Sequence, residues 1–258
     1  MCLILIAWRV HPEYPCVVAA NRDEFHARPA APAQWWTDKP RILAGRDLNA
    51  GGTWLGLTRS GRLAALTNYR GSGRRAPDAP SRGGLVTAIL ESASCVADDL
   101  AYLGGVGAAY NGFSLIFTDG RELGVYESEL SRGRILGPGI YGLSNHLLDT
   151  PWPKVLNAKS DLESALADLS DEKSLLALLR DDRQASDDQL PLSGVSQEWE
   201  RLLSSAFVRA ADYGTRCSTV VRIDRSGHAC FDEWSWDASG AQTGRVSVQF
   251  DLAGDQAR

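Results

Sequence analysis

The N-terminal part of the chain contains two apolar runs separated by a turn. Residues 2–8 and 16–20 carry no polar side chain, a pattern typical of strands that are buried on both faces of a sheet. The segment 11–15 holds two prolines between the runs, so together they predict a hairpin. The second predicted strand ends abruptly at four polar residues, Asn21-Arg22-Asp23-Glu24.

The rest of the chain predicts a succession of strands, helices, strands, helices and strands. Hydrophobic runs bounded by turn residues indicate strands at 51–58, 63–68, 113–118, 123–127, 139–144, 218–223, 230–236 and 245–252. Helical spacing of apolar residues indicates helices at 84–92, 95–103, 171–179 and 197–205, with a further helix starting at Pro151. Two segments rich in turn residues, 28–40 and 71–84, predict loops.

This order of elements favours an α+β fold. Antiparallel sheets packed face to face and flanked by helices would bury both faces of the apolar strands. The chain shows no internal repeat and no linker-like boundary, so we expect a single domain over residues 1–258.

Composition and charge restrict the class of protein. Its 258 residues are 44% hydrophobic with a net charge of −5, which is typical of a globular domain and argues against binding to nucleic acid. The five cysteines form no C-x-x-C pair, as expected in a reducing compartment. The first apolar run stops at Arg9, far short of the about 20 residues of a membrane helix, and lacks the features of a signal peptide. We therefore expect a cytoplasmic protein with no integral membrane segment.

Cys2 is the first candidate for chemistry. Removal of Met1, which is efficient when the second residue is small, would give Cys2 a free α-amine beside its thiol. The ordinary pKa of an α-amine is about 7.7–8.0 and that of a thiol about 8.5, so one residue can hold both a nucleophile and its base. The alternative is a buried cysteine that acts only as a small hydrophobic residue.

The polar residues after the second strand are the next candidates. An antiparallel hairpin brings Cys2 towards the end of its partner strand, where Arg22 and Asp23 lie. A guanidinium there would favour the thiolate, and a carboxylate could hold the α-amine. The alternative is a solvated strand end with no chemical role.

Several segments of the chain resemble a known family. They are Met1-Cys2-Leu3-Ile4-Leu5, Ala20-Asn21-Arg22-Asp23-Glu24-Phe25 with Arg28-Pro29, Gly51-Gly52-Thr53-Trp54-Leu55-Gly56, Leu66-Thr67-Asn68-Tyr69, Tyr141-Gly142-Leu143-Ser144-Asn145, Thr150-Pro151-Trp152-Pro153-Lys154 and Tyr213-Gly214-Thr215-Arg216. In this order they resemble the NRDE family, also called the transport and Golgi organisation 2 family. The resemblance covers nearly the whole chain. It implies the four-layer α-β-β-α sandwich of the N-terminal nucleophile (Ntn) hydrolases.

The resemblance also implies roles for individual residues, by analogy with the cysteine amidases of that fold. Cys2 would be the nucleophile, with Arg22 and Asp23 tuning it and Arg216 holding the electrostatics of the site. Asn68 and Asn145 would supply hydrogen bonds to an oxyanion or substrate. The implied chemistry is hydrolysis of, or acyl transfer from, an amide or thioester. Further candidates for substrate contacts are Asn21, Trp54, Tyr69 and His146.

A carrier without catalysis on the same scaffold remains the alternative function. Members of the family are associated with haem mobilisation and with lipid and acyl-CoA metabolism, so haem or acyl-CoA are possible ligands, and no cofactor is required. His146 could ligate haem, or it could be a hydrogen-bonded structural residue. Four arginines after Asn68 could grip a phosphate or carboxylate, or could lie in a solvated loop: Arg70, Arg74, Arg75 and Arg82. No Cys or His spacing matches a structural zinc site.

Overall fold

The computed structural model describes residues 2–71, 76–169 and 171–253. In this part of the chain, thirteen strands form two antiparallel sheets. The first sheet has the strand order β10-β1-β2-β11-β12-β13 and the second runs from β3 to β9 in sequence order. The strands are β1 Cys2–Trp8, β2 Cys16–Phe25, β3 Ala30–Trp35, β4 Ile42–Asp47, β5 Leu55–Thr58, β6 Leu63–Asn68, β7 Phe113–Thr118, β8 Leu123–Glu127, β9 Arg132–Leu136, β10 Gly139–Leu143, β11 Tyr213–Ile223, β12 His228–Trp236 and β13 Gln242–Asp251.

Helices cover the outer face of each sheet. The helices are α1 Gly83–Glu91, α2 Val96–Val106, α3 Pro153–Ala165, α4 Lys173–Leu179 and α5 Gln197–Leu202. Helices α1 and α2 pack on the second sheet, and α3 and α4 pack on the first. The α+β sandwich of two antiparallel sheets flanked by helices is thereby confirmed. Within the described residues, no helix is long and apolar enough to cross a membrane.

The N-terminal hairpin shows why its apolar runs are uninterrupted. Strands β1 and β2 pair in a register that sets Cys2 opposite Arg22 and Trp8 opposite Cys16. Successive side chains of a strand point to opposite faces of the sheet. On β1, Leu3 and Leu5 pack towards α3 and α4, whereas Ile4 and its even-numbered neighbours pack against the second sheet. The predicted hairpin is therefore confirmed, and its strands are apolar throughout because both faces of the sheet are buried.

The prediction of a loop at 28–40 is wrong, because β3 lies within it. This strand is at the edge of the second sheet and has a register shift between Ala31 and Gln34. Pro32 lies inside that irregularity, where a missing N–H is tolerated. The opposite edge strand, β9, was also not predicted, since its sequence RGRIL is mostly polar and exposed. Edge strands need no alternating hydrophobic pattern, so periodicity does not reveal them.

Gly56 allows helix α1 to approach the second sheet. A Cβ at this position would lie 2.7 Å from Leu90 Cδ1 and 3.1 Å from Ala44 Cβ. Gly56→Ala is therefore expected to lower the free energy of unfolding by about 1–3 kcal/mol through overpacking. The measurement is urea denaturation followed by circular dichroism.

Gly84 provides the matched control in the same helix–sheet unit. A Cβ there meets nothing within 4 Å. Gly84→Ala should stabilise α1 by about 0.5–1 kcal/mol, because alanine loses less conformational entropy than glycine in a helix. Equal effects of the two substitutions would contradict the packing argument.

Candidate active site

Three neighbouring strands of the first sheet align Cys2, Arg22 and Cys217 in one row. Arg22 on β2 lies opposite Cys2 on β1 and opposite Cys217 on β11. Arg22 is 9% exposed, and its Nη2 lies 3.7 Å from Glu24 Oε2 and 3.9 Å from Asp47 Oδ2. The hairpin thus places a guanidinium beside the Cys2 thiol, as its register requires.

Asn145 joins this row to the second sheet. The backbone N–H of Cys2 donates to Asn145 Oδ1 at 3.1 Å, and Asn145 Nδ2 donates to the carbonyl of Asn68 at 2.9 Å. Ser144 Oγ donates to the carbonyl of Cys2 at 3.1 Å, while Thr67 Oγ1 donates to the carbonyl of Ser144 at 2.6 Å. The start of β1 is therefore fixed by the ends of β6 and β10.

Asp23 and Arg216 are held where β2 pairs with β11. Asp23 Oδ1 accepts a hydrogen bond from Thr215 Oγ1 at 2.7 Å. The register shifts after Thr215, so Arg216 occupies a bulge. Its Nη1 donates to the carbonyls of Phe25 and Arg28 at 2.9 and 3.1 Å. The bulge re-aims the Arg216 side chain across the end of β2.

Most of the predicted site residues line one pocket of about 740 Å³. The predicted residues in its wall are Cys2, Arg22, Asp23, Trp54, Asn68 and Arg216. The wall also contains Arg82, from the predicted arginine cluster, and charged residues that were not predicted as part of the site, namely Glu24, Arg28, Arg46, Asp47 and Glu233. Asn145 is not in the wall and reaches the site through the Cys2 N–H.

Three predicted substrate contacts lie away from this pocket. Asn21 is fully buried, and its Nδ2 donates to the carbonyls of Leu179 and Ala206 at 2.7 and 2.8 Å. The rings of Tyr69 and His146 stack at 4.7 Å, with a hydrogen bond of 2.8 Å between Tyr69 Oη and His146 Nε2. Asn21 ties β2 to the helix layer, and the His146 ring also contacts that of Trp152. The structure does not bring these side chains to Cys2.

Burial is the largest influence on the pKa values of Cys2 and Asp23. It raises the pKa of the Cys2 thiol above its usual range; the charge of Asp23 adds to this, and the Arg22 guanidinium opposes it. Burial also raises the pKa of Asp23, while the hydrogen bond from Thr215 and the charge of Lys154 act in the opposite direction. The resting Cys2 is therefore a neutral thiol at neutral pH, and forming the thiolate requires a base.

Lys154 and Glu233 are buried charged groups that the sequence analysis did not select. Lys154 is 4% exposed and acts on both Asp23 and Cys2. Glu233 accepts a hydrogen bond from the backbone N–H of Ala33 on β3 at 2.7 Å, and burial raises its pKa. Lys154 ends the motif Thr150-Pro151-Trp152-Pro153-Lys154, which was the available signal. Nothing in the pattern around Glu233 distinguished it.

The predicted arginine cluster is divided between two places. Arg82 lines the pocket and donates from Nη1 to the carbonyl of Gly112 at 2.9 Å. Arg70 is buried, lies 3.3 Å from Glu200 Oε2 and stacks on the Trp152 ring at 4.3 Å. Arg74 and Arg75 fall outside the described residues. Among the residues that the structure does describe, no three His, Cys, Asp or Glu side chains are grouped to hold a metal ion.

Two facing antiparallel sheets between helix layers, with Cys2 at the start of a central strand, define an Ntn-hydrolase-like fold. A solved structure with this arrangement is the C2A mutant of the conjugated bile acid hydrolase from Clostridium perfringens. It aligns with a TM-score of 0.55 over 97% of this chain and 92% of that chain, at 8% sequence identity. At this identity the likeness concerns the fold.

The chain belongs to the family described as "Transport and Golgi organisation 2", whose profile matches residues 1–238. Similar proteins include the Transport and Golgi organization protein 2 homolog of Bos taurus, 38% identical over 262 residues. The homolog of Mus musculus is 36% identical over 263 residues. Each alignment covers 91% of this chain and 93% of the relative. The family resemblance seen in the sequence motifs is confirmed.

The contacts of Asn21 predict a structural role that can be measured. Asn21→Leu would leave the carbonyls of Leu179 and Ala206 buried without their donor. We expect a loss of about 3 kcal/mol in the free energy of unfolding, measured by urea denaturation. Asn49→Leu, at an exposed position, is the matched control and should cost little. A stable Asn21→Leu protein would show that β2 does not depend on these hydrogen bonds.

Proposed function

We propose that this protein is a hydrolase or acyltransferase that uses Cys2 as an N-terminal nucleophile, after removal of Met1, on an amide or thioester. The observation that carries the proposal is the 3.1 Å hydrogen bond from the Cys2 nitrogen to Asn145 Oδ1, made at the wall of a pocket that also contains Arg22. After removal of Met1 this nitrogen would be the α-amine, and Asn145 would hold it beside the thiol.

The neutral α-amine would act as the base for the thiol. With one N–H donated to Asn145, the amine keeps a lone pair that can accept the proton of Sγ. The thiolate then attacks the substrate carbonyl, forming a C–S bond and an oxyanion. As the C–N or C–S bond of the substrate breaks, the ammonium returns its proton to the leaving amine or thiol. Water then attacks the acyl-enzyme carbonyl and gives a proton to the amine; as the acyl C–Sγ bond breaks, the ammonium returns that proton to Sγ, which releases the acid and restores the thiol.

The other site residues have separate parts in this scheme. Both ends of the Asn145 amide are engaged, by Cys2 and by the Asn68 carbonyl, so we assign Asn145 to orienting the amine. The side chain of Asn68 is exposed in the pocket wall, and we assign it to the oxyanion. The Arg22 guanidinium opposes the rise in the pKa of the thiol and thereby favours the thiolate.

Haem ligation by His146 is not favoured by its contacts. Its Nε2 is paired with Tyr69 Oη at 2.8 Å and its Nδ1 with Thr150 Oγ1 at 2.9 Å. Coordination of iron would need one of these nitrogens to be released. The residues present therefore do not fit a haem ligand at His146, and hydrolysis remains the function that the site supports best.

The first prediction from this proposal concerns Cys2 itself. The intact mass of the purified protein should lack Met1, and Cys2→Ala should lower turnover of a panel of acyl p-nitroanilides and acyl thioesters by at least about 10³-fold. Cys95→Ala, at an exposed cysteine, is the matched control and should keep full activity. Retained Met1, or equal turnover by Cys2→Ala, would overturn the proposal.

A second prediction concerns the oxyanion. Asn68→Ala should lower kcat by about 10²–10³-fold with little change in KM, because an oxyanion donor acts mainly in the transition state. Thr243→Ala is the control, since Thr243 lines the same pocket from β13, across three other strands of the sheet from Cys2. A change confined to KM would assign Asn68 to ground-state binding instead.

A further inference from the structure

Lys154 is a buried cation beneath the start of β1. It lies in the first turn of α3, directly after Trp152 and Pro153. The residue is 4% exposed, and no hydrogen-bond partner of its Nζ is found in the described part of the chain. Burying an ammonium group without such a partner costs several kcal/mol, and a methionine would fill a similar volume without this cost. A charge in this place is favourable only if neighbouring negative groups stabilise it.

Strand alternation places Lys154 and Asp23 on the same side of the first sheet. Asn21 faces the helix layer through its bonds to Leu179 and Ala206, and Asp23 follows it at the spacing of two residues that keeps side chains on one face. Helix α3 covers that face, packing against Leu3 and Leu5 of β1. The Arg22 side chain points to the opposite face, where it lines the pocket.

We propose that Lys154 is a positioning residue for Cys2: from the helix side of the sheet, its ammonium group holds Asp23 as a carboxylate and stabilises the Cys2 thiolate. This inference rests on the proposed function. Arg22 provides one cation on the pocket face of the sheet, and Lys154 provides a second on the helix face, near the start of β1 and the end of β2.

The charges around Lys154 agree with this role. Burial lowers the pKa of Lys154 to about 8, whereas the negative charges of Asp23 and Cys2 raise it and that of Arg70 lowers it. Interactions between charges are mutual, so Lys154 favours the ionised form of Asp23, whose pKa it lowers, and more weakly that of Cys2. Among the described residues, other ionisable groups in this region include Arg22, His146 and Glu200, which pairs with Arg70 at 3.3 Å, and removal of Met1 would add the Cys2 amine. At pH 7 Lys154 remains charged.

The test measures the reactivity of Cys2 and needs no substrate. The rate of Cys2 alkylation by iodoacetamide is followed at pH 7, where Lys154 is charged, by peptide mass mapping in the full-length protein. Lys154→Met should lower this rate by about tenfold, because losing one nearby opposite charge lowers the fraction of thiolate. Lys154→Arg should keep the rate near that of the wild type. Lys154→Gln serves as the second neutral variant should the methionine protein not fold.

Lys159→Met is the matched control on the same helix. Lys159 pairs with Asp149 at 2.7 Å near the surface, and its loss should leave the alkylation rate at pH 7 unchanged. An unchanged rate in folded Lys154→Met or Lys154→Gln would overturn the proposal, as would an equal loss of rate in Lys159→Met. A lowered alkylation rate without any hydrolysis would contradict only the proposed function, whereas hydrolysis with an unchanged alkylation rate would contradict only the role of Lys154.

Stability separates this role from a merely structural one. Between pH 8 and 10.5 the unfolded chain holds a proton on Lys154 that the folded protein has lost, so the wild type should gain stability relative to Lys154→Met as the pH rises through this window. Near pH 7, Lys154→Met should be at least as stable as the wild type. A structural lysine would show the reverse, a destabilised variant with an unchanged alkylation rate at pH 7.

Discussion

The side-chain amide of Asn145 ties the start of the chain to both sheets, and the geometry of the candidate site depends on it. Its oxygen accepts the N–H of Cys2 on the first sheet, and its nitrogen donates to the carbonyl of Asn68 at the end of β6 on the second. An amide can do both because it carries an acceptor and donors on one planar group. A carboxylate of the same shape would have no N–H for Asn68. An amide side chain can therefore join a backbone donor to a backbone acceptor, and it adds to the strand pairing that positions Cys2.

The four polar residues at the end of β2 serve two different layers of the fold. Because side chains alternate along a strand, Arg22 and Glu24 turn to the pocket face, whereas Asn21 and Asp23 turn to the helix face, although Asp23 still borders the pocket at the end of the strand. Asn21 bonds to two carbonyls of the helix layer, and Asp23 bonds to Thr215. A motif that is contiguous in sequence is thus divided by the sheet: one half fixes β2 in place and the other half supplies charge to the pocket.

Strand pairing explains which parts of the site could be predicted from the sequence. The hairpin follows from two apolar runs and a turn, and its register alone brings Arg22 to Cys2. Asn21 was predicted to contact substrate, but its side chain bonds to carbonyls of the helix layer. Hydrophobic periodicity could not reveal this, because it does not position the segments that carry those carbonyls. Lys154 and Glu233 were missed for a similar reason: their burial comes from the packing of helix on sheet and of sheet on sheet. The edge strand β3 has no hydrophobic alternation to detect, since one side of it pairs with nothing in its sheet.

Cys2 must form a thiolate in a buried place, and the surrounding charges can stabilise that anion. Burial raises the pKa of its thiol, yet attack on a carbonyl needs the thiolate. Cations act on it from both faces of the sheet, Arg22 on the pocket side and, on our inference, Lys154 on the helix side. Opposite charges act more strongly where water is excluded, so two cations lower the cost of the thiolate without adding an acceptor that would compete for its proton. Asp23 acts in the opposite direction, and the same two cations offset it. The proton of Cys2 then needs a base inside the site, and the α-amine oriented by Asn145 is the group that the proposed function provides for it.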